Sequence, residues 1–282
     1  MLEKVRIAIA DRSQETVRKT EELKKRLQAD GIITEVYPIL SLPAAGRNTP
    51  PELYLTDCPE KVRRVAGENC CILLYLDEKS RKLSFHGLPC AVEDLEGIDA
   101  DYLEKVYRRH VGEPWEILRT PRLTVREQKA EDLDSLYEIY AHPDMTAYME
   151  GLSSDKKEEL ERLQSYIRSV YPLYGFGLWM LERKVDGVCI GRAGFFWREG
   201  AEYPELGFAV KKSEQQKGYC LEACRAILDH GFYELDFQGV QALTREGNRA
   251  AEAVLERLGF RNSGFTEADG ARAVRWLLSR PQ

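Results

Sequence analysis

The residues best placed to do chemistry run Glu205-Leu206-Gly207-Phe208-Ala209-Val210, continue through a polar turn from Lys211 to Lys217, and end Gly218-Tyr219-Cys220-Leu221-Glu222-Ala223. An apolar strand stops at Val210 and a helix starts near Gly218, so the first turn of that helix carries unpaired N–H groups and the positive end of its dipole. Such a terminus binds anions; Lys217 adds charge, and Gly218 lets a phosphate approach the backbone. Taken alone, the same residues also describe an ordinary strand-to-helix turn. A second segment, Asn248 to Phe260, has Asn248 suited to cap a helix, Ala250, Val254 and Leu258 spaced to line an apolar face, and Gly259 to end it. A third set, Asp11, Asp57 and Asp77, follows three apolar strands, where α/β folds place their chemistry.

Metal chemistry finds little support. The seven cysteines (Cys58, Cys70, Cys71, Cys90, Cys189, Cys220 and Cys224) lie mostly inside apolar runs, and none of the four histidines completes a zinc-ligand spacing. Neither a metal site nor a disulfide framework is expected.

Two sets of elements must position these residues. In the first part, strands at Val5–Ala10, Ile32–Tyr37, Leu53–Thr56, Cys70–Leu76 and near Ala91 alternate with helices over Thr16–Gln28, Pro59–Val65 and Ala100–Val111, with a long loop from Leu42 to Pro51. That alternation predicts an α/β domain with a mostly parallel sheet. Gly112-Glu113-Pro114-Trp115 breaks the last helix, and a new strand begins at Leu123, which sets domains of 1–118 and 119–282. The second part reads as a strand, helices over Ala130–Tyr140 and Asp155–Val170, strands over Gly177–Arg183, Val188–Trp197 and Pro204–Val210, and a helix from Gly218 to Phe232. A strand from Val240 to Thr244, the Asn248 helix and two final strands complete it. Val185-Asp186-Gly187 marks a hairpin.

Composition bounds what partners are plausible. The 282 residues are 43% hydrophobic and 31% charged, typical of a globular chain long enough for two cores. The net charge of −6 is shared equally by the two parts, so neither offers a basic footprint for nucleic acid. The longest apolar run, Cys70 to Leu76, is far shorter than the about 20 residues of a membrane span. Met1-Leu2-Glu3-Lys4 leads straight into the first strand without a signal-peptide pattern, and a cytoplasmic protein is expected.

From Arg122 to Arg280 the ordered set of segments resembles the GNAT superfamily of acetyl-CoA-dependent N-acyltransferases, in particular its RimJ/RimL-like branch. The opening Leu123-Thr124-Val125-Arg126-Glu127, the Glu205-Leu206-Gly207-Phe208 strand, the glycine turn and the Asn248–Phe260 helix carry the likeness. It implies an α+β domain whose mixed sheet has a splayed strand pair, with coenzyme A lying between the strand ending near Val210 and the one starting near Val240. Phe208, Ala209 and Val210 would line the pantetheine and acetyl group, Gln215, Gln216, Lys217, Gly218, Tyr219 and Cys220 would cradle the pyrophosphate, and Asn248 would bond the pantetheine arm. Arg257 falls where the family is often basic. The implied acceptor is a primary amine, on a small molecule or a protein N-terminus; the sequence does not fix the oligomeric state and leaves a homodimer open.

Three residues depart from the family pattern. Gln216 stands where glycine is usual, Cys220 where glycine or alanine is, and Leu255 where many members carry the tyrosine that protonates the leaving thiolate. For the base, Glu205 is the candidate, since it begins the strand that would present the acetyl group and the family often has glutamate there; a solvated strand-edge charge explains it equally well. Glu150 and His142 are weaker candidates, His142-Pro143 reading better as a turn. Of the aromatics Tyr171, Tyr174, Phe176, Trp179, Phe195, Phe196 and Trp197, strand alternation buries most and leaves a few for an acceptor pocket. The departures keep open a non-catalytic coenzyme A sensor. The first domain resembles a degenerate haloacid dehalogenase-type domain, because Asp11-Arg12-Ser13 lacks that family's second carboxylate. A structural or regulatory role is expected for it, with a phosphatase activity as the rival.

Overall fold

A computed structural model describes residues 1–43, 51–67, 69–76, 90–268 and 270–281. Asp77 and most of the expected Leu42–Pro51 loop lie outside the described residues. The chain divides into two units, Met1–Trp115 and Glu116–Gln282. That division falls three residues before the expected one because Glu116–Arg119 is itself a strand that pairs with Leu123–Arg126 in the second sheet.

In the first unit the strands are β1 (Lys4–Ala8), β2 (Ile33–Val36), β3 (Glu52–Thr56), β4 (Cys71–Tyr75) and β5 (Ala91–Val92). The helices are α1 (Gln14–Ala29), α2 (Pro59–Ala66) and α3 (Ala100–His110). The strands lie in the order β2-β1-β3-β4-β5, each neighbouring pair parallel. Parallel sheets are covered on both faces, and two buried clusters show it. Val5, Ile7, Leu53, Leu55 and Leu73 pack against Leu23 and Leu27 of α1 and Leu103 and Val106 of α3. On the other face Ala8, Tyr54 and Ile72 meet Val62 of α2.

This is a doubly wound order in which the winding reverses between β1 and β3, the crevice where such folds bind ligands. Two of the chain's own carboxylates stand there and bond the β1–α1 turn. Asp57 accepts N–H bonds from Ala10 (2.8 Å) and Asp11 (3.0 Å). Asp11 accepts from the hydroxyls of Ser13 (2.8 Å) and Thr16 (2.6 Å), while Ser13 caps α1. The haloacid dehalogenase-type reading therefore gains no support: both carboxylates at the strand ends close the β1–α1 turn, and neither is presented as a nucleophile.

The second unit begins with β6 (Glu116–Arg119) and β7 (Leu123–Arg126), followed by α4 (Leu133–Tyr140), α5 (Pro143–Thr146) and α6 (Lys156–Tyr174). Then come β8 (Leu178–Arg183), β9 (Val188–Phe196), β10 (Glu205–Val210), α7 (Tyr219–Tyr233), β11 (Gly239–Arg245), α8 (Arg249–Arg257), β12 (Arg261–Ala268) and β13 (Ala271–Ser279). The eight strands are ordered β12-β13-β11-β10-β9-β8-β7-β6. Every pair is antiparallel except β10–β11. The expected hairpin joins β8 to β9, with Gly187 at φ +68°.

One face of this sheet packs Leu206, Ile190 and Phe195 against Ala223, Cys224, Ile227 and Leu228 of α7 and Leu255 of α8. The other packs Met180, Cys189 and Ala209 against Leu136 and Ile139 of α4, Met145 of α5 and Leu163 of α6. A buried guanidinium ties the N-terminal strands together: Arg126 donates to both oxygens of Asp132 (2.8 Å each) and to Glu182 (2.8 Å). At one edge, the β12–β13 register shifts between Asn262 and Phe265; Gly264 there has φ +99° and donates its N–H to the Asn262 side chain. On α7, His230 lies edge-on to the buried Trp179, centroids 5.8 Å apart.

Burial holds the His230 pKa below its ordinary value, as it does for His110 in the first unit. The unfolded chain takes up those protons near pH 6.5 while the folded one resists them. Stability therefore falls as the pH drops below about 6.5 and on through the lower folded values. Melting curves of wild type and His230→Gln between neutral and mildly acidic pH should show the smaller acid-induced drop in the variant; equal drops would disprove a contribution from His230.

Candidate active site

The parallel pair β10–β11 determines the site. Only one rung joins the strands, Glu205↔Gln241, with the Gln241 N–H donating to the Pro204 carbonyl (2.9 Å). Past that rung the strands part, while β10 stays fully paired to β9 through Val210. The parting opens a cavity of about 280 Å³. One half is lined by Leu206 to Ala209, by Ala242 to Arg245 and by Asn248, Ala251 and Leu255. The other is formed by Tyr140, Tyr148, Met149 and Glu150 over a floor of Leu178, Arg192, Phe196, Glu205 and Gly207.

The floor follows from strand register. Glu205, Gly207 and Ala209 sit opposite Phe196, Gly194 and Arg192, so all six share one face. A Cβ on Gly207 would come within 2.9 Å of the Phe196 ring and 3.3 Å of Leu178, so those two side chains pack over the middle rung where glycine leaves them room. Glu205 is 5% exposed, and Arg198 donates to both its oxygens (2.7 and 3.4 Å). Of the expected aromatics only Phe196 lines the cavity; Tyr171, Phe176, Trp179 and Phe195 are core, and Tyr174 and Trp197 are partly exposed away from it.

The glycine turn lies at the end of β10. Gly218 has φ +83° and gives α7 no side-chain cap, whereas Ser13, Asp99, Asp155 and Asn248 each cap their helices. The Tyr219, Cys220 and Leu221 N–H groups thus begin α7 with neither a cap nor a preceding helical turn. Gln215 turns its side-chain amide back onto the Val210 carbonyl (3.0 Å). Lys217 pairs with Glu214 (2.9 Å), which also takes Arg183 (2.9 Å). Those two cations hold the Glu214 carboxyl below its usual range.

A residue that the sequence did not single out stands beside this turn. Arg122 bonds the Lys217 carbonyl (3.0 Å), pairs with Glu222 (2.5 Å) and lies 4.3 Å over the Tyr219 ring. Burial acts against ionised Glu222, but bonds from Thr120 and Arg122 hold its carboxyl below the ordinary value. No local spacing signals this, because Arg122 and Glu222 are 100 residues apart. Arg192 was missed for a related reason: strand pairing brings it to the cavity.

Other expected residues are placed as follows. Asn248 lines the cavity and caps α8, accepting from the Ala251 N–H (3.2 Å). The inner face of α8 is built on buried Leu255 with Ala251 and Leu258 half-buried, not on Ala250, which is exposed. Val210, Gln215 to Cys220 and Arg257 do not line the cavity, and Arg257 is exposed on the last turn of α8. Glu150 lines it; His142 does not, since its Nδ1 accepts from the Asp144 N–H (3.2 Å) as the cap of α5.

A parallel pair that splays beside a glycine-started helix defines an acyltransferase type of sheet, and comparison with known proteins identifies it. Residues 122–261 match the acetyltransferase (GNAT) domain family. YkkB of Bacillus subtilis (strain 168), itself uncharacterised, is 32% identical over 149 residues, covering 52% of this chain and 86% of its own. The uncharacterised N-acetyltransferase YnaD of the same organism is 26% identical over 151 residues, covering 52% and 84%. Among solved structures, a GNAT-family acetyltransferase from Bordetella pertussis superposes with a TM-score of 0.50 at 27% identity, over 57% of this chain and 98% of that one. The ribosomal L7/L12 α-N-protein acetyltransferase RimL shares the fold, with a TM-score of 0.51 at 16% identity over 59% and 95%. The chain belongs to the GNAT acetyltransferase family, and its second unit is an acetyltransferase domain.

Gln216, in the turn, has φ +61°, left-handed backbone that costs a residue with a Cβ about 1–2 kcal/mol. Replacing it with glycine removes that cost and adds back roughly 0.5–1 kcal/mol of chain entropy. Gln216→Gly should therefore melt at or above the wild-type temperature; a loss of more than about 1 kcal/mol would show that the Gln216 side chain stabilises the turn.

Proposed function

We propose that this protein moves the acetyl group of acetyl-CoA to a primary amine by direct attack in a ternary complex. The observation that carries the reading is the parting of β10 and β11 after one rung. It turns the free edge of β10 toward a cavity into which an extended arm can lie like an added strand. The residues present fit such a ligand: backbone from Leu206 to Ala209 and the Asn248 amide along the cavity, then the uncapped start of α7 for phosphate, with Gly218, Lys217 and Arg122 beside it. When bound, acetyl-CoA supplies a thioester carbonyl whose carbon accepts the amine.

The attacking amine must be neutral, and an alkyl ammonium gives up its proton only near pH 10. We assign Glu205 to receive that proton, directly or through one water. As attack proceeds the new C–N bond forms, backbone N–H groups of β10 stabilise the oxyanion, and the C–S bond breaks. Leu255 has no proton for the departing thiolate, so that proton comes from water or from a lining hydroxyl, of which Tyr140, Tyr148 and Thr244 are the candidates. RimL, a ribosomal L7/L12 α-N-protein acetyltransferase, supports a protein N-terminal amine as one acceptor class, and a small primary amine is the other. A homodimer and a cytoplasmic site of action belong to this proposal. To the first unit we assign a structural or regulatory role, Asp57 being engaged by the Ala10 and Asp11 N–H groups of its own β1–α1 turn.

Acetyl-CoA at about 100 times its dissociation constant should stabilise the unit that binds it by about 2.7 kcal/mol. The melting temperature should rise saturably in wild type and stay flat in Gly218→Glu, measured against the variant's own baseline. No rise in wild type would refute cofactor binding, and binding without turnover of any amine would leave a coenzyme A module in place of an enzyme.

Glu205→Gln should keep the acetyl-CoA shift, lose about 10²–10⁴-fold in kcat and flatten the acid limb of the pH–rate profile. An unchanged profile would remove Glu205 from the chemistry.

A further inference from the structure

The acceptor half of the cavity contains a cation with no carboxylate partner. Arg192 lines it from the middle of β9, half-buried, on the rung opposite Ala209 and Met180. Its Nε donates to the Tyr140 hydroxyl (2.8 Å), and its guanidinium lies 4.9 Å from the centre of that ring. These contacts hold the guanidinium by one nitrogen and one face. The two terminal nitrogens make no hydrogen bond among the described residues, and neither is sealed in the protein as an orphaned buried atom.

The neighbouring arginines behave differently. Arg122 is paired with Glu222, Arg126 with Asp132 and Glu182, Arg183 with Asp186 and Glu214, and Arg198 with Glu205. Arg192 alone of these five makes no ion pair among the described residues. The second arginine lining the cavity, Arg245, is exposed at the end of β11, on the cofactor half.

A half-buried guanidinium with an open fork matches a planar carboxylate, which takes two parallel N–H bonds. The opposite end of the floor holds the Glu205 carboxylate, which is paired with Arg198. Glu205 stands four residues before Ala209 on the same face of β10, about 13 Å along the strand. Between them lies the Gly194/Gly207 rung, over which the Phe196 ring and the Leu178 side chain pack. The floor therefore has the Arg198-paired Glu205 at one end, the unpaired guanidinium of Arg192 at the other, and the apolar Phe196 and Leu178 side chains between. A single planar cation favours a singly charged carboxylate over a phosphate dianion.

We propose that the acceptor is an amine that also carries a carboxylate, its nitrogen delivered to the Glu205 end and its carboxylate bound by Arg192. This rests on the acetyl-transfer reading of the site and gives the acceptor a chemical class. Two sources share that chemistry: a small aminocarboxylate, and a peptide N-terminus followed by an acidic side chain.

The test uses the full chain with saturating acetyl-CoA and matched acceptors. One arm compares ω-amino acids of increasing length with alkylamines of equal length; the other compares short peptides with glutamate or glutamine near the N-terminus. At the best length, the carboxylate-bearing acceptor should be preferred at least about tenfold in kcat/KM in one arm, as expected of hydrogen bonds to a charged group, and the arm that shows it identifies the source. In Arg192→Gln the preference should collapse to within about twofold through the KM of the carboxylate-bearing acceptor, and Arg192→Lys should retain part of it. Both variants should keep the acetyl-CoA melting shift, which establishes that they are folded and that the cofactor half is intact. Equal use of charged and neutral acceptors by wild type overturns the inference while leaving acetyl transfer standing. So does an Arg192→Gln variant that loses the acetyl-CoA shift or falls equally on both kinds of acceptor. Turnover of no amine at all overturns the acetyl-transfer reading, and this inference with it.

Discussion

Everything in the second unit depends on a ladder that stops. β10 and β11 are parallel and share one rung, Glu205↔Gln241, after which each keeps its outer partner and loses the other. An open edge inside a sheet is normally a liability, since backbone N–H and C=O groups left unpaired and shielded from water cost free energy. Here the edge opens on a cavity, so water or an extended ligand can satisfy it. The flanking architecture keeps the gap from closing: α7 fills one face beside β9 and β10, α8 brings Leu255 under the strands, and α4 to α6 cover the other face.

The two units use carboxylates in opposite ways. At the switch point of the first, Asp57 and Asp11 stitch a loop to a strand end, so the feature that α/β folds use to attract ligands is satisfied by the chain itself. In the second, the start of α7 lacks such a plug and relies on Gly218 and the nearby Arg122. The same backbone chemistry is met by carboxylates in one unit and left without a side-chain cap in the other.

Much of this was legible in the sequence, because local patterns fix local structure. The alternation of strands and helices predicted both sheets, the Asn248 cap and the Gly218 start were read directly, and the turn Val185 to Gly187 marked its hairpin. Strand Glu116–Arg119 was missed because it is short, half-buried and close to a helix-breaking run, and that moved the division of the chain. The short helix at Pro143 was read as a turn, although proline in the first helical turn is a start signal. The cavity floor was only partly within reach: Glu205 was read as a candidate, but cross-strand register places Arg192 opposite Ala209, and Arg122 finds Glu222 across 100 residues. Sequence spacing is silent about such pairs. The likeness to a degenerate phosphatase rested on the position of Asp11 after a strand, and position alone does not show whether a carboxylate faces a ligand or its own loop.

An open sheet of eight strands has two outer edges, and β12 forms one of them. Its ladder slips between Asn262 and Phe265, Gly264 bends it, and Arg261 and Glu267 place opposite charges along it. A strand arriving from a neighbouring molecule would meet a kink where it needs continuous register, and would have to bury charge to dock. The sheet that tolerates an interior gap thus resists strand addition at this border.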